Sequence, residues 1–350
     1  MSTYIVVGLQ TPQRRYRLRR RHHDPGRRRH QPPERTIRLL LPHKPLLALD
    51  GLLLMIRITS PEQTRSHPRS RIHIRTLALE TPRFALLAAI EKSDAKKDEI
   101  SFNLGIDPIG SAAINGGEPD LSGLSEWVKK VDGYKNARPI VVDATVYHNA
   151  GAGDVAELAW AIATGVEYVR ALIEQGLTAE QAFDSINFRV SATHDQFLTI
   201  SRLRALRTLW NRVGEVFEVP AGKRGARQEA VTSWRELTRD DPYVNILRGT
   251  ISTFGAAVGG AEAVTTLPFD DAIGLPKSDF SRRIARNTGI ILSEESNIGR
   301  VNDPAGGSFY VESLTKSLAD AAWAEFQSVE AAGGMAAALT GDHVRTELDK

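Results

Sequence analysis

Cysteine is absent from this 350-residue chain, which excludes disulfide-stapled scaffolds and metal centres built on thiolates. The sequence also has no apolar run of about 18 residues, the length that a membrane-spanning helix requires. Hydrophobic residues nevertheless make up 41% of the chain, enough to bury one large α/β core or two ordinary ones. The protein is therefore either intracellular or indifferent to redox state, and we expect a cytoplasmic location without a membrane partner.

Several motifs of well-known chemistry are missing as well. No Gly-x-Gly-x-x-Gly fingerprint follows a predicted strand, which argues against a dinucleotide-binding sheet. The nucleophile elbow Gly-x-Ser-x-Gly is also absent, although composition leaves a Ser-His-Asp triad open. Beyond the first quarter of the chain the histidines are His148, His194 and His343. No two of them have the spacing of a zinc-binding helical pair, so we expect no metal site.

The net charge of +3 conceals a sharp division along the chain. Residues 1–83 contain 17 arginines and 1 lysine against 5 acidic residues, whereas residues 84–350 contain 27 basic and 37 acidic residues. The first quarter also holds six of the nine histidines and shows little hydrophobic periodicity. The basic character therefore belongs to the amino-terminal segment, and the rest of the chain is acidic.

Three interpretations of residues 1–76 follow from this composition. Arginine tracts such as 14–21 release counterions from nucleic acid and would suit a nucleic-acid-binding segment. An arginine-rich amino terminus also occurs in organellar transit peptides, although prolines interrupt the run here. The excess of Arg, Pro, His and Leu is explained best by a GC-rich gene read out of frame, in which case nucleic acid is not an expected partner. We treat 1–76 as an atypical segment and 77–350 as the folded domain.

Six short apolar segments between residues 99 and 303 predict β-strands, and helical patterns separate them. The predicted strands are 99–104, 140–146, 188–192, 230–234, 263–267 and 300–303. One long helix is predicted from Asp154 to Gln175, and another around Leu203 to Val213 with arginines 202, 204, 207 and 212 on an outer, solvated face. This alternation predicts an α/β fold, a (β/α)8 TIM-barrel-like domain that is incomplete at its amino-terminal side.

The densest local signal lies in residues 279–312. Ile284, Thr288 and Ile291 recur at helical spacing, Val301 predicts a brief strand, and residues 303–308 supply a tight turn. A helix, a strand and a turn within about 35 residues have the length of one βα unit.

The segment 138–152, RPIVVDATVYHNAGA, predicts a buried strand that ends in a polar tip and a small-residue turn. In α/β barrels the catalytic groups lie at such carboxyl ends of strands. His148 at this tip and its neighbour Tyr147 are therefore candidate catalytic residues.

Four segments together resemble the methylmalonyl-CoA mutase family, in the part that forms its catalytic barrel. They are 138–152, LRALRTLW at 203–210, DFSRRIARNT at 279–288 and DPAGGSFYVE at 303–312. The likeness extends from about Leu104 to Gly334. It implies adenosylcobalamin as cofactor and a radical rearrangement between methylmalonyl-CoA and succinyl-CoA, in a barrel lined by small residues that admit the pantetheine chain.

Aligned with the family's active pattern, RPISISGYHMQEAGA, the segment 138–152 matches at both ends without a gap. This register places Thr145 at the family's tyrosine, Val146 at its catalytic histidine and Asn149 at its cobalamin-contacting glutamate. The resemblance thus implies a loss of the catalytic imidazole and leaves Asn149 as the candidate cofactor contact. His148 lies two residues beyond Val146 and would share its face in a strand, so a two-residue slip would return an imidazole to the site.

Other family contacts to CoA and substrate are replaced too. The family's Arg-Thr-His-Ser-Gln segment corresponds to 226–230, its Arg-x-Ser pair to Ser185 and Asn187, and its Thr-x-Gln to Gly105 and Asp107. Serine in place of arginine removes a bidentate grip on phosphate or carboxylate. A chain that preserves the hydrophobic framework of the barrel but replaces its binding residues resembles the small, non-catalytic subunit of the family's bacterial heterodimer.

The resemblance therefore implies a fragment of a small subunit, inactive alone, that pairs with a catalytic large subunit acting on an acyl-CoA. No D-x-H-x-x-G motif of a cobalamin-binding domain occurs, so the cofactor would be bound mainly by the partner or a missing domain. The alternative left open is an active acyl-CoA mutase that uses a register-shifted Tyr147 and His148. A nucleic-acid-binding protein is a third, unrelated possibility.

Overall fold

A computed structural model describes residues 100–273 and 278–349, together with short strands and isolated positions before residue 100. Residues 1–76 lie outside the described residues, except for the backbone of four short strands. The interpretations of this segment therefore stay predictions. The four strands are β1 (Tyr4–Ile5), β2 (Val7–Gly8), β3 (Leu53–Met55) and β4 (Ile72–Arg75).

Five parallel strands form the centre of the sheet, and each pairs with the next one along the chain. They are β5 (Ile100–Ile106), β6 (Asn136–Asp143), β7 (Ile186–Ala192), β8 (Gln228–Thr232) and β9 (Ala263–Thr265). The complete order is β1-β9-β8-β7-β6-β5-β4-β3-β2, and the pairs of β3 with β2 and β4 are antiparallel. The five central strands curl into a half-barrel, which confirms the predicted incomplete (β/α) barrel.

Helices alternate with these strands and continue after β9. From residue 100 onward the described α-helices are α1 (Pro108–Asn115), α2 (Leu124–Lys130), α3 (Thr145–Ala150), α4 (Asp154–Glu174), α5 (Ala179–Asp184), α6 (Gln196–Val216), α7 (Val244–Val258), α8 (Asp279–Ile290), α9 (Phe309–Ala331), α10 (Met335–Thr340) and α11 (His343–Leu348). Short 3-10 helices lie at Ala221–Lys223, Trp234–Glu236, Asp271–Ile273 and Ile298–Arg300.

Local sequence signals predict several helix ends correctly. The Thr178 hydroxyl accepts the Gln181 backbone N–H while the Gln181 side chain accepts the Thr178 N–H, a capping box that begins α5. Asp195 caps α6 by accepting the Leu198 N–H at 3.0 Å. After α4 the chain leaves the helix through Gly176, whose φ of +92° lies in the left-handed region.

The core between α4, α6 and β7 depends on close contact at Gly165. A Cβ atom at this position would lie 2.8 Å from the Trp210 ring and 3.2 Å from the Phe188 ring. Trp210 cannot easily retreat, because it stacks on Phe183 at 4.5 Å and meets Phe188 edge-on at 4.8 Å. The absence of a side chain at Gly165 therefore lets the long helices approach the sheet.

The sixth predicted strand, 300–303, is wrong. Val301 lies in a bend after the 3-10 helix Ile298–Arg300, and 61% of its surface is exposed. A single apolar residue gives a strand no face to bury, and Asp303 reverses the chain with a φ of +45°. The neighbouring predictions of α8 and of a turn after Asp303 are confirmed.

The predicted solvated arginine face of α6 is also largely wrong. Arg202 is fully buried, and Arg204 forms ion pairs with Asp303 at 3.0 Å and Glu312 at 2.8 Å. Arg212, by contrast, has a side chain that is 63% exposed. The reason is that Arg202 contacts Glu157 of α4 and the Ser191 carbonyl oxygen of β7, whereas Arg204 meets Glu312 of α9. Positions that would face water on an isolated helix therefore meet other elements.

Candidate functional site

The carboxyl ends of three strands bring polar residues to one edge of the half-barrel. Asp107 follows β5, Asp143 ends β6, and Ser233 follows β8. Because the strands are parallel and neighbouring, these ends lie together, at the edge where barrels carry their chemistry. The candidate residues 145–149 follow Asp143 at this edge.

The strand at this edge ends at Asp143, three residues before its predicted end at Val146, so the assumption that Val146 and His148 share a strand face is wrong. Asp143 Oδ1 accepts hydrogen bonds from the Thr145 N–H at 3.2 Å and from Thr145 Oγ1 at 2.5 Å. This local bond turns the chain away from the strand, and α3 begins at Thr145. Residues two apart in a helix are separated by about 200°, so a two-residue slip would not return an imidazole to the position of Val146.

His148 is buried, and its two ring nitrogens contact different groups. Nε2 lies 2.7 Å from Ser233 Oγ, and Nδ1 lies 3.4 Å from Glu157 Oε2. The carboxylate favours the tautomer with N–H at Nδ1, which leaves Nε2 to accept the Ser233 hydroxyl proton. Arg235 holds the backbone by donating to the His148 carbonyl oxygen at 2.8 Å. A serine, a histidine and an acid therefore form a buried chain, with glutamate as the acid.

Glu157, the acidic end of this Ser233–His148–Glu157 series of contacts, is fully buried. Its oxygens accept the Ser191 N–H at 2.7 Å, the Ser191 hydroxyl at 2.6 Å and Arg202 Nη1 at 2.8 Å. Burial by itself would raise the pKa of Glu157, but the Arg202 charge and the contacts from His148 and Ser191 lower it to about 2. Glu157 is therefore ionised at neutral pH and fixes both His148 and Arg202.

Tyr147, the second candidate catalytic residue, packs against α4. Its hydroxyl lies 2.9 Å from Thr164 Oγ1, and its ring meets Trp160 edge-on at 5.6 Å. Burial raises the pKa of Tyr147 well above its usual range, and the nearby Asp107 charge adds to this. The phenol therefore remains protonated and bonded within the helix layer.

The other aligned positions lie on the same short helix. Thr145 and Val146 are half-buried, whereas Asn149 is exposed near the end of α3. Asn149 is thus open to a group outside the chain, and its role as a cofactor contact remains a prediction.

Four polar side chains from successive strands form what we call the polar layer: Asn103 of β5, Asp143 of β6, Arg189 of β7 and Glu229 of β8. Arg189 Nη1 donates to Asp143 Oδ2 at 2.6 Å, and Asn103 Nδ2 donates to Glu229 Oε1 at 2.6 Å. Arg189 Nη2 lies 3.5 Å from Glu229 Oε2. Desolvation would lower the pKa of Arg189, but the Asp143 and Glu229 charges raise it, so the guanidinium stays charged.

Asp107 closes the end of β5 beside this layer. Its carboxylate accepts the Gly110 N–H at 2.9 Å, the Asp143 N–H at 3.0 Å and the Tyr168 hydroxyl. Burial raises the pKa of Asp107 to about 6; the Tyr168 hydrogen bond acts against this rise, and the Asp143 charge reinforces it.

Two of the aligned replacements lie away from the carboxyl edge. Ser185 immediately precedes β7, and its hydroxyl donates to the Gln181 carbonyl oxygen at 2.7 Å. Gln228 begins β8, and its amide donates to the Leu203 carbonyl oxygen at 3.0 Å. Although serine replaces the family's arginine at position 185, β7 does contain a guanidinium group, that of Arg189, four residues after Ser185.

The structure brings together several residues that no sequence pattern had marked as functional, among them Glu157, Arg189 and Ser233. A signal was present for Arg189, because a lone charge within the apolar strand 186–192 requires a buried partner. Glu157 lies on a helix whose exposed positions carry other charges, so nothing in its spacing marked it as buried. Ser233 is joined to His148 only by the fold.

Within the described residues no group of three or more His, Asp or Glu side chains is arranged to hold a metal ion. In that same part of the chain no helix has the length and apolar character needed to cross a bilayer.

Comparison with known proteins relates this chain to one family. The family described as methylmalonyl-CoA mutase matches residues 122–350. The methylmalonyl-CoA mutase small subunit of Propionibacterium freudenreichii subsp. shermanii is 65% identical over 266 residues, which cover 76% of this chain and 42% of that protein. The small subunit of Streptomyces virginiae is 51% identical over 257 residues, or 73% of this chain and 41% of that protein.

The methylmalonyl-CoA mutase of Escherichia coli (strain K12) is 42% identical over 196 residues, which cover 55% of this chain and 27% of that protein. The chain thus spans less than half the length of these curated relatives.

Proposed function

The chain belongs to the methylmalonyl-CoA mutase family, and from this premise we propose that it is a fragment of a small subunit that acts as the structural partner of a catalytic large subunit. The complex interconverts methylmalonyl-CoA and succinyl-CoA with adenosylcobalamin, in the cytoplasm. This chain alone is inactive in that reaction.

The observation that carries this proposal is that both candidate catalytic side chains already contact other groups inside the protein. The Tyr147 hydroxyl bonds to Thr164, and His148 has Ser233 at one nitrogen and Glu157 near the other. A general acid or a carbonyl-polarising group must reach the reacting atoms. Two buried side chains that already have partners instead support the fold at the strand ends, as expected for a subunit that keeps the framework.

Among the described residues, His148 at the candidate site does not fit the cobalt end of the cofactor. A cobalt ligand requires an imidazole nitrogen with a free lone pair, and both His148 nitrogens face protein groups. We therefore assign the cofactor mainly to the partner. Asn149, exposed on α3, is the residue of this chain that we propose as a cofactor contact.

The test is reconstitution with a methylmalonyl-CoA mutase large subunit. The two chains are mixed, and the complex is followed by size-exclusion chromatography with light scattering and by succinyl-CoA isomerisation. We expect co-elution and no turnover by this chain alone. Asn149→Ala is compared with Asn211→Ala, a variant on α6; the proposed cofactor contact predicts a raised cofactor KM for Asn149→Ala only. Failure of the two chains to associate would contradict the proposal.

A second candidate function is an active acyl-CoA mutase that uses Tyr147 and His148. Its support is that His148 lies at the carboxyl edge of the half-barrel. The test is turnover by this chain with adenosylcobalamin and a separately supplied cobalamin-binding domain. Activity that disappears in His148→Ala but persists in His194→Ala would favour this function over the structural one.

A further inference from the structure

The polar layer and the neighbouring Asn187 contain hydrogen-bonding atoms that no described residue satisfies. Five buried atoms have no hydrogen-bond partner within the part of the chain that the structure describes: Asn103 Oδ1, Asn187 Nδ2, Arg189 Nε, Arg189 Nη2 and Glu229 Oε2. The exposed fractions of these four residues lie between 5% and 9%. Asn187 lies two residues before Arg189 on β7 and therefore shares its face. Buried polar atoms in folded proteins nearly always have a protein, water or ligand partner, so this cluster requires one.

The open atoms have a definite arrangement of donors and acceptors. Arg189 uses Nη1 for Asp143, which leaves Nε and Nη2, the two donors that form a side-on fork. Nη2 faces Glu229 Oε2 at 3.5 Å without forming a hydrogen bond. The fork and Asn187 Nδ2 need an acceptor, whereas Asn103 Oδ1 and Glu229 Oε2 need donors.

Charge selects among the groups that could fill these positions. Two carboxylates, Asp143 and Glu229, already surround the single Arg189 guanidinium, and Asp107 contributes to its electrostatic environment. A bound carboxylate or phosphate would add another negative charge in a buried place and would leave Asn103 Oδ1 and Glu229 Oε2 without donors. A neutral group that carries an acceptor and a donor side by side meets both demands.

We propose that the polar layer is a binding site for a neutral amide group. The amide carbonyl oxygen accepts from the Arg189 fork, and the amide N–H donates to Glu229 Oε2. In a primary amide the second N–H serves Asn103 Oδ1. The site belongs to this chain and does not depend on the proposed pairing with a large subunit.

The experiment compares acetamide with acetate, which has the same shape but carries a charge and no donor. The full chain is labelled with 15N-arginine, and the Arg189 Nε–H resonance is assigned by its loss in Arg189→Lys. We expect a saturable shift of this resonance with acetamide and at least about tenfold weaker binding of acetate at neutral pH. N,N-dimethylacetamide, which keeps the carbonyl but lacks the N–H, should also bind about tenfold more weakly.

Glu229→Gln tests the charge argument directly. This variant removes one carboxylate and supplies a donor, so the preference for acetamide over acetate should fall by about tenfold. Glu215→Gln, on an exposed residue of α6, is the matched control and should keep the preference unchanged. No saturable shift with acetamide, or equal responses to acetamide and acetate in the unmodified chain, would overturn the proposal even if Glu229→Gln did not fold. Association with a large subunit is scored separately and would be unaffected.

Discussion

Arg202 Nη1 lies 2.8 Å from Glu157 Oε2, and neither residue exposes any surface to solvent. The same guanidinium group contacts Asp154 Oδ1 at 2.6 Å and donates to the Ser191 carbonyl oxygen. One arginine of α6 therefore joins the start of α4 to the end of β7. A buried pair of this kind is costly to desolvate but much more costly to break from one side.

We expect Arg202→Ala to lower the free energy of unfolding by about 3–5 kcal/mol, because Glu157 would remain as an uncompensated buried charge. Urea unfolding followed by circular dichroism measures this. Arg212→Ala, which removes an exposed pair with Glu215, should cost less than about 1 kcal/mol. Equal losses in the two variants would contradict the assignment of Arg202 as the central buried contact.

Asp107 should make stability fall as pH rises through the weakly acidic range. Burial raises its pKa from 3.8 to about 6, so between these values the folded state keeps a proton that the unfolded state has released. The folded state then binds more protons, and stability decreases with rising pH by up to about 3 kcal/mol, levelling off above about pH 6. Thermal unfolding between about pH 4.5 and 7 measures this slope.

Asp107→Asn provides the control for this slope, since the variant keeps an acceptor for the Gly110 N–H but does not titrate. Its stability relative to the unmodified chain should improve as pH rises. Glu157 has the opposite sign, because its pKa is lowered from 4.5 to about 2. Its contribution is lost only as pH falls below about 4.5, outside the window of the measurement. Parallel pH profiles for the variant and the unmodified chain would rule out a raised Asp107 pKa.

Gly165→Ala should destabilise the protein although alanine favours helices by about 1 kcal/mol over glycine. The new Cβ would lie 2.8 Å from the Trp210 ring, which Phe183 and Phe188 hold in place. Overpacking of this kind costs about 1–3 kcal/mol. Gly222→Ala is the control, because its Cβ would have no neighbour within 4 Å. The urea midpoint should fall for Gly165→Ala only. An unchanged midpoint would show that the Trp210 ring can move to accommodate the added Cβ.

The alternation of strands and helices was predictable because it depends on short-range pattern. Buried runs such as 186–192 and the capping box at Thr178 each identify an element without reference to the rest of the chain. The prediction failed where tertiary contacts decide the outcome. Val301 has apolar character but no face to bury, and Arg202 has the sequence environment of a surface residue but is buried against α4 and β7.

The candidate site was predictable in position but not in its contacts. The segment 138–152 indicated the carboxyl edge, and the structure places His148 there. Its partners Glu157 and Ser233 are 9 and 85 residues away along the chain, on different elements. Periodicity and motif spacing report only on neighbours within one element, so such a chain of contacts emerges from the topology alone.

The pair of His148 and Ser233 should show strong energetic coupling. Its 2.7 Å contact is buried, and Glu157 fixes the tautomer from the other side, so each single change leaves a buried polar atom unpaired. A double-mutant cycle of His148→Ala and Ser233→Ala should give a coupling energy of about 1–2 kcal/mol in urea unfolding.

The control cycle uses His194 and Glu236, whose ring nitrogen and carboxylate are 2.6 Å apart but whose histidine side chain is 56% exposed. Its coupling should stay below about 1 kcal/mol because solvent screens the pair. A large coupling at His148 means that the imidazole stabilises the strand ends, which is the role expected in a structural subunit. Coupling no greater than in the control would instead leave His148 free to act on a substrate and would strengthen the second candidate function.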